Sequence, residues 1–98
     1  MNDSTNSKNR TDAAPTLKDV RAAMQRIAPY VRRTPAISVE IAGIPMVLKL
    51  ESRQRTGAFK LRGAVNALAV QERFRRERFY TASAGNHGLG AAAAALLL

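Results

Sequence analysis

The sequence predicts an α/β fold with a largely parallel sheet. Helix-like and strand-like stretches alternate from Ile37 to the last residue, an order that is typical of such folds. The chain has 98 residues, of which 46% are hydrophobic and only 5% aromatic, so it suffices for at most one small domain. Its core must therefore consist mainly of aliphatic side chains.

Residues 1–15 are rich in Asn, Ser, Thr, Asp and Lys and have no periodic apolar positions. Such a segment cannot bury enough apolar area to offset the entropy of ordering it. We therefore predict a disordered leader. A transit peptide is the alternative, but Asp3 and Asp12 argue against it because transit peptides are poor in acidic residues.

The first helix is predicted from Thr16 to about Pro29. Thr16 and Asp19 have the spacing of a capping box, and apolar residues recur at helical spacing after them, at Leu17, Val20, Ala23, Met24 and Ile27. Arg33-Thr34-Pro35 then predicts an extended segment, because a residue before proline avoids the helical region.

Two strands are predicted next. Alternation from Ile37 to Ile41 indicates a half-buried strand, and a second strand runs from Met46 to Leu50 after a turn that contains Gly43. Lys49 and Glu51 would lie on one face of the second strand by its period of two. We interpret them as a weak ion pair with no catalytic role.

A helix from Ala58 to about Arg78 places Lys60 in its first turn. A cation near the positive end of a helix dipole gains nothing from the backbone, and the apolar neighbours Phe59 and Leu61 would partly desolvate it. Both effects favour the neutral, nucleophilic amine that a Schiff base requires. Taken alone, however, a lysine on a helix is more often a solvated surface charge.

A second candidate site lies after the predicted strand Phe79 to Ala82. The stretch Ser83 to Gly88 connects that strand to a helix predicted from Gly88 to Leu98, so its N–H groups could cradle an anion. The alternative is a tight turn that uses glycine for its conformation. The last helix ends without a cap or a turn signal, which indicates a truncated chain.

Three stretches together closely resemble the threonine dehydratase and serine racemase branch of the fold type II pyridoxal phosphate enzymes. They are Leu48 to Glu51, Gln54 to Ala64, and Ser83 to Gly88, and the resemblance extends from about Leu17 to Ala95. It implies the N-terminal part of a two-domain fold. Residues 16–78 would begin the large cofactor-binding domain, and residues 79–98 would begin the small domain.

The resemblance implies roles for individual residues. Lys60 would bond covalently to pyridoxal 5'-phosphate and act as the catalytic base, and Phe59 would pack near the cofactor ring. Asn86 would donate a hydrogen bond to the phenolic oxygen of the cofactor. The substrate carboxylate would be held by the loop of Ser83, Ala84, Gly85, Asn86 and His87, although His87 could instead only order this loop. The lysine and the loop would line opposite sides of a cleft between the domains.

The reaction implied is α,β-elimination, in which an ammonia-lyase converts L-threonine or L-serine to a 2-oxo acid and ammonia. The full-length enzyme would be a homo-oligomer. Similar racemases have serine at the position of Ala84, and a methyl group cannot transfer protons, which favours dehydration. Ala58 replaces a serine of many relatives. The phosphate-binding loop and the partner of the pyridine nitrogen would lie beyond residue 98, so a non-catalytic remnant is an alternative.

The net charge of +9 raises a third alternative, a small nucleic-acid-binding module. The basic residues are spread along the chain without interleaved aromatic residues, and the cluster Arg73, Arg75, Arg76 and Arg78 suits a helix C-terminus, so we predict no nucleic-acid partner. With no cysteine and one histidine, no metal site is expected. No stretch reaches the ~20 apolar residues of a membrane span, and a cytoplasmic location is expected.

Overall fold

The computed structural model describes residues 13–71, 78 and 80–98. Most of the predicted leader and the arginines at positions 73, 75 and 76 lie outside these residues. The described elements are α1 (Leu17–Ile27), β1 (Ala36–Ile41), β2 (Ile44–Lys49), a 3-10 helix (Glu51–Arg53), α2 (Lys60–Ala69) and α3 (Asn86–Leu97). The mixed helix and strand content agrees with the predicted class.

Helix α1 begins at the predicted capping box. The Thr16 Oγ1 atom accepts a hydrogen bond from the Asp19 amide at 3.2 Å, and the Thr16 amide donates to Asp19 Oδ2 at 2.8 Å. These bonds satisfy donors that a helix N-terminus otherwise leaves unpaired. The helix ends at Ile27, its one buried residue, so the end predicted near Pro29 was close.

Strands β1 and β2 form an antiparallel hairpin, with Ile37 opposite Leu48 and Ile41 opposite Ile44. This pair of strands is therefore antiparallel, whereas the sequence predicted a largely parallel sheet. The reason is the connection: Ala42 and Gly43 have φ values of 51° and 76°, the left-handed conformation of a tight two-residue hairpin turn. Parallel strands need a much longer crossover.

Two boundaries around the lysine helix differ from the predictions. Glu51 belongs to the 3-10 helix rather than to β2, which ends at Lys49. Helix α2 ends at Ala69 instead of extending to about Arg78, because the Val70 amide bonds to the carbonyls of Asn66 and Leu68 and closes the chain into a turn. Residues 72–77 lie outside the described residues.

Helix α3 begins at Asn86, two residues before the predicted start. Its residues Asn86 and His87 are thus helical rather than part of a loop. Residues Tyr80 to Ala82 have no regular secondary structure, so the predicted strand does not form there, and Phe79 lies outside the described part. A strand needs a neighbouring strand to pair its backbone, and β1 and β2 pair with each other.

The core of the described part consists of one residue of α1, two of α2 and one of α3: Ile27, Leu61, Val65 and Ala94. Helix α2 packs on both α1 and α3, whereas the strands of the hairpin are largely exposed. None of the described helices is both long and apolar enough to cross a membrane.

Candidate active site

The start of the lysine helix packs directly against the second turn of α3. Gly90 is buried, and a β-carbon built on it would lie 3.3 Å from both the Leu61 nitrogen and the Lys60 carbonyl carbon. Gly90 is four residues, or roughly 6 Å of helix, beyond Asn86. This contact joins the helix that begins with Lys60 to the helix that follows the Ser83 to Gly88 stretch, although residues 65–82 separate that stretch from Ala64 in the sequence.

Lys60 is the first residue of α2, and its side chain is exposed. The Nζ atom lies 5.5 Å from the centroid of the Phe59 ring, within the range of a cation–π contact. Leu61 is fully buried in the core, so it does not cover the lysine amine. The expected desolvation of Lys60 by both neighbours is therefore wrong for the described residues, and the amine is accessible.

The Ser83 to Gly88 turn is closed by short contacts. Ser83 Oγ accepts a hydrogen bond from the Gly85 amide at 3.2 Å, and a β-carbon on Gly88 would lie 3.2 Å from the Ser83 carbonyl oxygen. Gly85 is the N-cap of α3 and offers no side chain to its first turn. The N–H groups of that turn therefore lack a side-chain cap, and such groups favour an anion.

The turn holds the remaining predicted substrate residues. Ala84 is exposed within it, and Asn86 and His87 are exposed at the start of α3. The structure thus places the predicted substrate residues in this turn and in the first turn of α3.

An ion pair links α2 to the 3-10 helix. Arg62 donates to Glu51 through Nε, and its Nη2 lies 3.1 Å from Glu51 Oε2. The pKa of Glu51 is lowered to about 2, chiefly by the hydrogen bond from Arg62, with smaller contributions from Thr34 and Lys49. The pKa of Arg62 is raised by the same bond.

The weak pair expected between Lys49 and Glu51 is wrong, because Glu51 has left the strand face. Lys49 Nζ instead donates to the Thr34 carbonyl at 2.6 Å. Arg62 was not singled out from the sequence, although its spacing from Lys60 on the same helix was visible there.

Gln54 is a further residue that sequence reasoning missed. It is only 3% exposed, and its amide oxygen accepts from the Arg32 amide at 2.8 Å while its Nε2 donates to the Arg32 carbonyl at 2.9 Å. This pair of hydrogen bonds joins the extended segment after α1 to the loop before α2. The one available signal was its place inside the motif that contains Lys60.

A cavity of about 660 Å³ lies away from the predicted residues. It is lined by Met24 and Ile27 of α1 on one side and by Lys49 and Arg62 on the other. None of the predicted site residues lines it. The candidate site is therefore the open junction of α2 and α3, not this cavity.

The family model described as pyridoxal-phosphate dependent enzyme matches residues 27–98. The chain belongs to this family. The match includes the hairpin, the stretches Gln54 to Ala64 and Ser83 to Gly88, and the junction of α2 and α3. It confirms the resemblance seen in the sequence and identifies pyridoxal phosphate as the cofactor of the fold.

Individual relatives support the same branch. The chain is 41% identical over 81 residues to a serine racemase of Dictyostelium discoideum, covering 78% of this chain and 25% of that protein. It is 40% identical over 85 residues to an L-threonine ammonia-lyase of Thermotoga maritima, covering 82% of this chain and 21% of that one. The structure of maize serine racemase superposes with a TM-score of 0.75 at 37% identity, covering 87% of this chain and 28% of that chain.

The chain therefore spans about a quarter of the length of these pyridoxal-phosphate dependent relatives. Within that part, the side chains at the junction have the types that the cofactor needs. Lys60 offers an accessible primary amine for its aldehyde, Asn86 offers amide donors for an oxygen, and α3 offers uncapped N–H groups for an anion. The residues present thus fit pyridoxal phosphate.

Proposed function

We propose that this chain contributes the catalytic lysine and the substrate-binding turn of a pyridoxal-phosphate dependent ammonia-lyase that acts on L-threonine or L-serine. The observation that supports the proposal is the packing of Gly90 against the backbone of Lys60 and Leu61, because it joins the helix that begins with an accessible amine to the helix that begins with uncapped N–H groups. The relatives that are named L-threonine ammonia-lyase support this reaction.

The residues of the chain have separate tasks in this proposal. Lys60 holds the cofactor until the substrate amine takes its place, and the freed lysine amine then takes the proton from the substrate α-carbon. Asn86 orients the cofactor through its amide, and the N–H groups at the start of α3 bind the substrate carboxylate. Phe59 provides an apolar ring beside the amine.

Bound pyridoxal phosphate supplies the electron sink that makes this proton removable. The β-hydroxyl would then leave as water, and a water molecule would hydrolyse the released imine to a 2-oxo acid and ammonia. Ser83 keeps the turn closed through its bond to the Gly85 amide, which directs the N–H groups of α3 toward the substrate.

Serine racemisation is the second candidate, because relatives of this chain carry that name and the superposed structure is a serine racemase. Inversion at the α-carbon requires a proton donor on the face opposite the lysine. Ala84, in the turn at the start of α3, has only a methyl group to offer, so the described residues favour elimination.

A chimera tests the proposal, because the chain spans about a fifth of the L-threonine ammonia-lyase of Thermotoga maritima. In the chimera this chain replaces the matching segment of that enzyme, and the rest of the enzyme completes the fold. We expect 2-oxo acid from L-threonine in the cofactor-loaded chimera and none in its Lys60→Ala variant. Equal 2-oxo acid formation by the two proteins would overturn the role of Lys60.

The 98-residue chain by itself is expected to be inactive. It lacks the remaining three quarters of the length of its relatives, and apolar residues of α3 such as Leu96, which is 88% exposed, have no packing partner among the described residues. If the purified chain formed more 2-oxo acid than its Lys60→Ala variant, the 98 residues would be sufficient for activity and this expectation would be wrong.

A further inference from the structure

Arg62 lies two residues after Lys60 on α2, and its guanidinium donates hydrogen bonds to three residues. Besides Glu51, it contacts Thr34 Oγ1 and the Arg32 carbonyl, each at 3.3 Å from Nη2. A guanidinium held by a carboxylate and two further oxygens has a defined direction, since its donors are planar and fixed. The bonds of Arg62 therefore restrict how the first turn of α2 can rotate or slide.

The carboxylate that holds Arg62 is itself fixed. Thr34 is only 4% exposed, and its hydroxyl donates to Glu51 Oε2 at 2.6 Å. The charged groups that face Glu51 are Arg62 from α2 and Lys49 from the end of β2. Both are cations, so the carboxylate stays ionised near neutral pH and stays paired with Arg62 of α2.

The chain before Lys60 is held by Gln54. Its side chain bonds to the amide and carbonyl of Arg32 and also accepts from the Arg55 amide at 3.1 Å. Its backbone carbonyl accepts from the Gly57 amide at 2.8 Å, and Gly57 has a φ of 77°, which favours glycine. This turn sets the direction in which the chain reaches Lys60.

We propose that Glu51 and Gln54 are positioning residues for Lys60: Gln54 fixes the segment that precedes the lysine, and Glu51, through Arg62, fixes the helix that follows it. Neither residue contacts the lysine amine, so both act through the backbone. The proposal rests on the proposed role of Lys60 in binding the cofactor. It explains why Gln54 is buried and Glu51 half-buried, each bonded to other parts of the chain, shortly before the lysine.

The test compares two contacts that hold the same helix, in the chimera described above, which supplies the rest of the enzyme. Glu51→Gln removes the ion pair with Arg62 near Lys60. Asn66→Ala removes the hydrogen bond from Arg26 Nη1 to Asn66 Oδ1, one turn further along α2. Each variant is mixed with pyridoxal phosphate and reduced with borohydride. Peptide mapping then gives the ratio of cofactor trapped on Lys60 to cofactor trapped on Lys18 and Lys49.

We expect Glu51→Gln to lower this ratio about tenfold and Asn66→Ala to leave it unchanged, because only the first variant releases the lysine turn. Amide hydrogen exchange gives a second readout that needs no cofactor. The Gly57 and Arg62 amides, which donate to the Gln54 and Phe59 carbonyls, should exchange faster in Glu51→Gln than in Asn66→Ala.

The outcomes separate the two proposals. If the unmodified chimera shows no preference for Lys60, the cofactor role of Lys60 fails and the positioning role fails with it. If the unmodified chimera prefers Lys60 and Glu51→Gln keeps both that preference and slow exchange at Gly57 and Arg62, only the positioning role is overturned. A loss of preference that is equal in Glu51→Gln and Asn66→Ala would show a general effect of helix stability and would also overturn it.

Discussion

A β-carbon at position 90 would lie 3.3 Å from the amide nitrogen of Leu61, closer than nearly all such contacts in folded proteins. Gly90 thereby allows α3 to approach α2 at the point where Lys60 begins the helix. Since the opposing atoms belong to the backbone, they cannot rotate away as a flexible side chain would. A larger residue at this position must separate the two helices.

We therefore expect Gly90→Val to lower the free energy of unfolding by about 1 to 3 kcal/mol. The matched control is Gly63→Ala on α2, where an added β-carbon meets nothing within 4 Å. That change should be neutral or stabilise the helix by up to about 1 kcal/mol, because alanine has the higher helix propensity. Urea unfolding followed by circular dichroism measures both variants. Equal stability of Gly90→Val and the unmodified chain would contradict the packing described here.

In the chimera with the Thermotoga maritima enzyme, Lys60→Ala should abolish the yellow absorbance of the lysine-bound cofactor and its fixation by borohydride. Lys18→Ala and Lys49→Ala should retain both. Lys49 donates to the Thr34 carbonyl and Lys18 lies on α1, so neither is beside the start of α3. Mass spectrometry of the reduced protein identifies the modified residue. Trapping of the cofactor on a different lysine would refute the assignment.

Glu51 should make folding stability depend on pH at the acidic end. Its pKa in the folded chain is about 2, below the ordinary value of 4.5, so folding favours the ionised carboxylate. The resulting stabilisation is complete above about pH 4.5 and is lost as the pH falls through about 2. Its size is about 2 kcal/mol once partial solvent screening is allowed for, since the Glu51 side chain is 18% exposed.

The measurement is the difference in unfolding free energy between the unmodified chain and Glu51→Gln from pH 7 to pH 2.5. We expect a constant difference down to about pH 4.5 and a shrinking difference below it. A difference that stays unchanged throughout would show that Glu51 does not titrate with a lowered pKa.

Ala84 should decide the products formed from L-serine. We expect the chimera to form pyruvate with little D-serine, and Ala84→Ser to raise the ratio of D-serine to pyruvate, because a hydroxyl can return a proton to the α-carbon. Chiral chromatography and a pyruvate assay on the same samples give this ratio. If the unmodified chimera already forms D-serine as fast as pyruvate, another group supplies the second proton and Ala84 is not decisive.

Several features of this protein follow from its sequence because their causes are local. The start of α1 is set by bonds between Thr16 and Asp19, three residues apart, and the lysine lies at the start of its helix as predicted. The cofactor family was predicted from the stretch Gln54 to Ala64 followed by the stretch Ser83 to Gly88, and the family match confirms it. The division into two domains and the roles of Lys60, Asn86 and the turn remain predictions.

Other features depend on residues that are distant in sequence. The partner of Glu51 is Arg62 and not Lys49, because a 3-10 helix turns the carboxylate away from the strand face. The contact of Gly90 with Leu61 joins residues on different helices. Local signals carry no information about such pairs. Each pair forms because the whole set of packed helices places its backbones and charges at contact distance, and only the tertiary structure determines that placement.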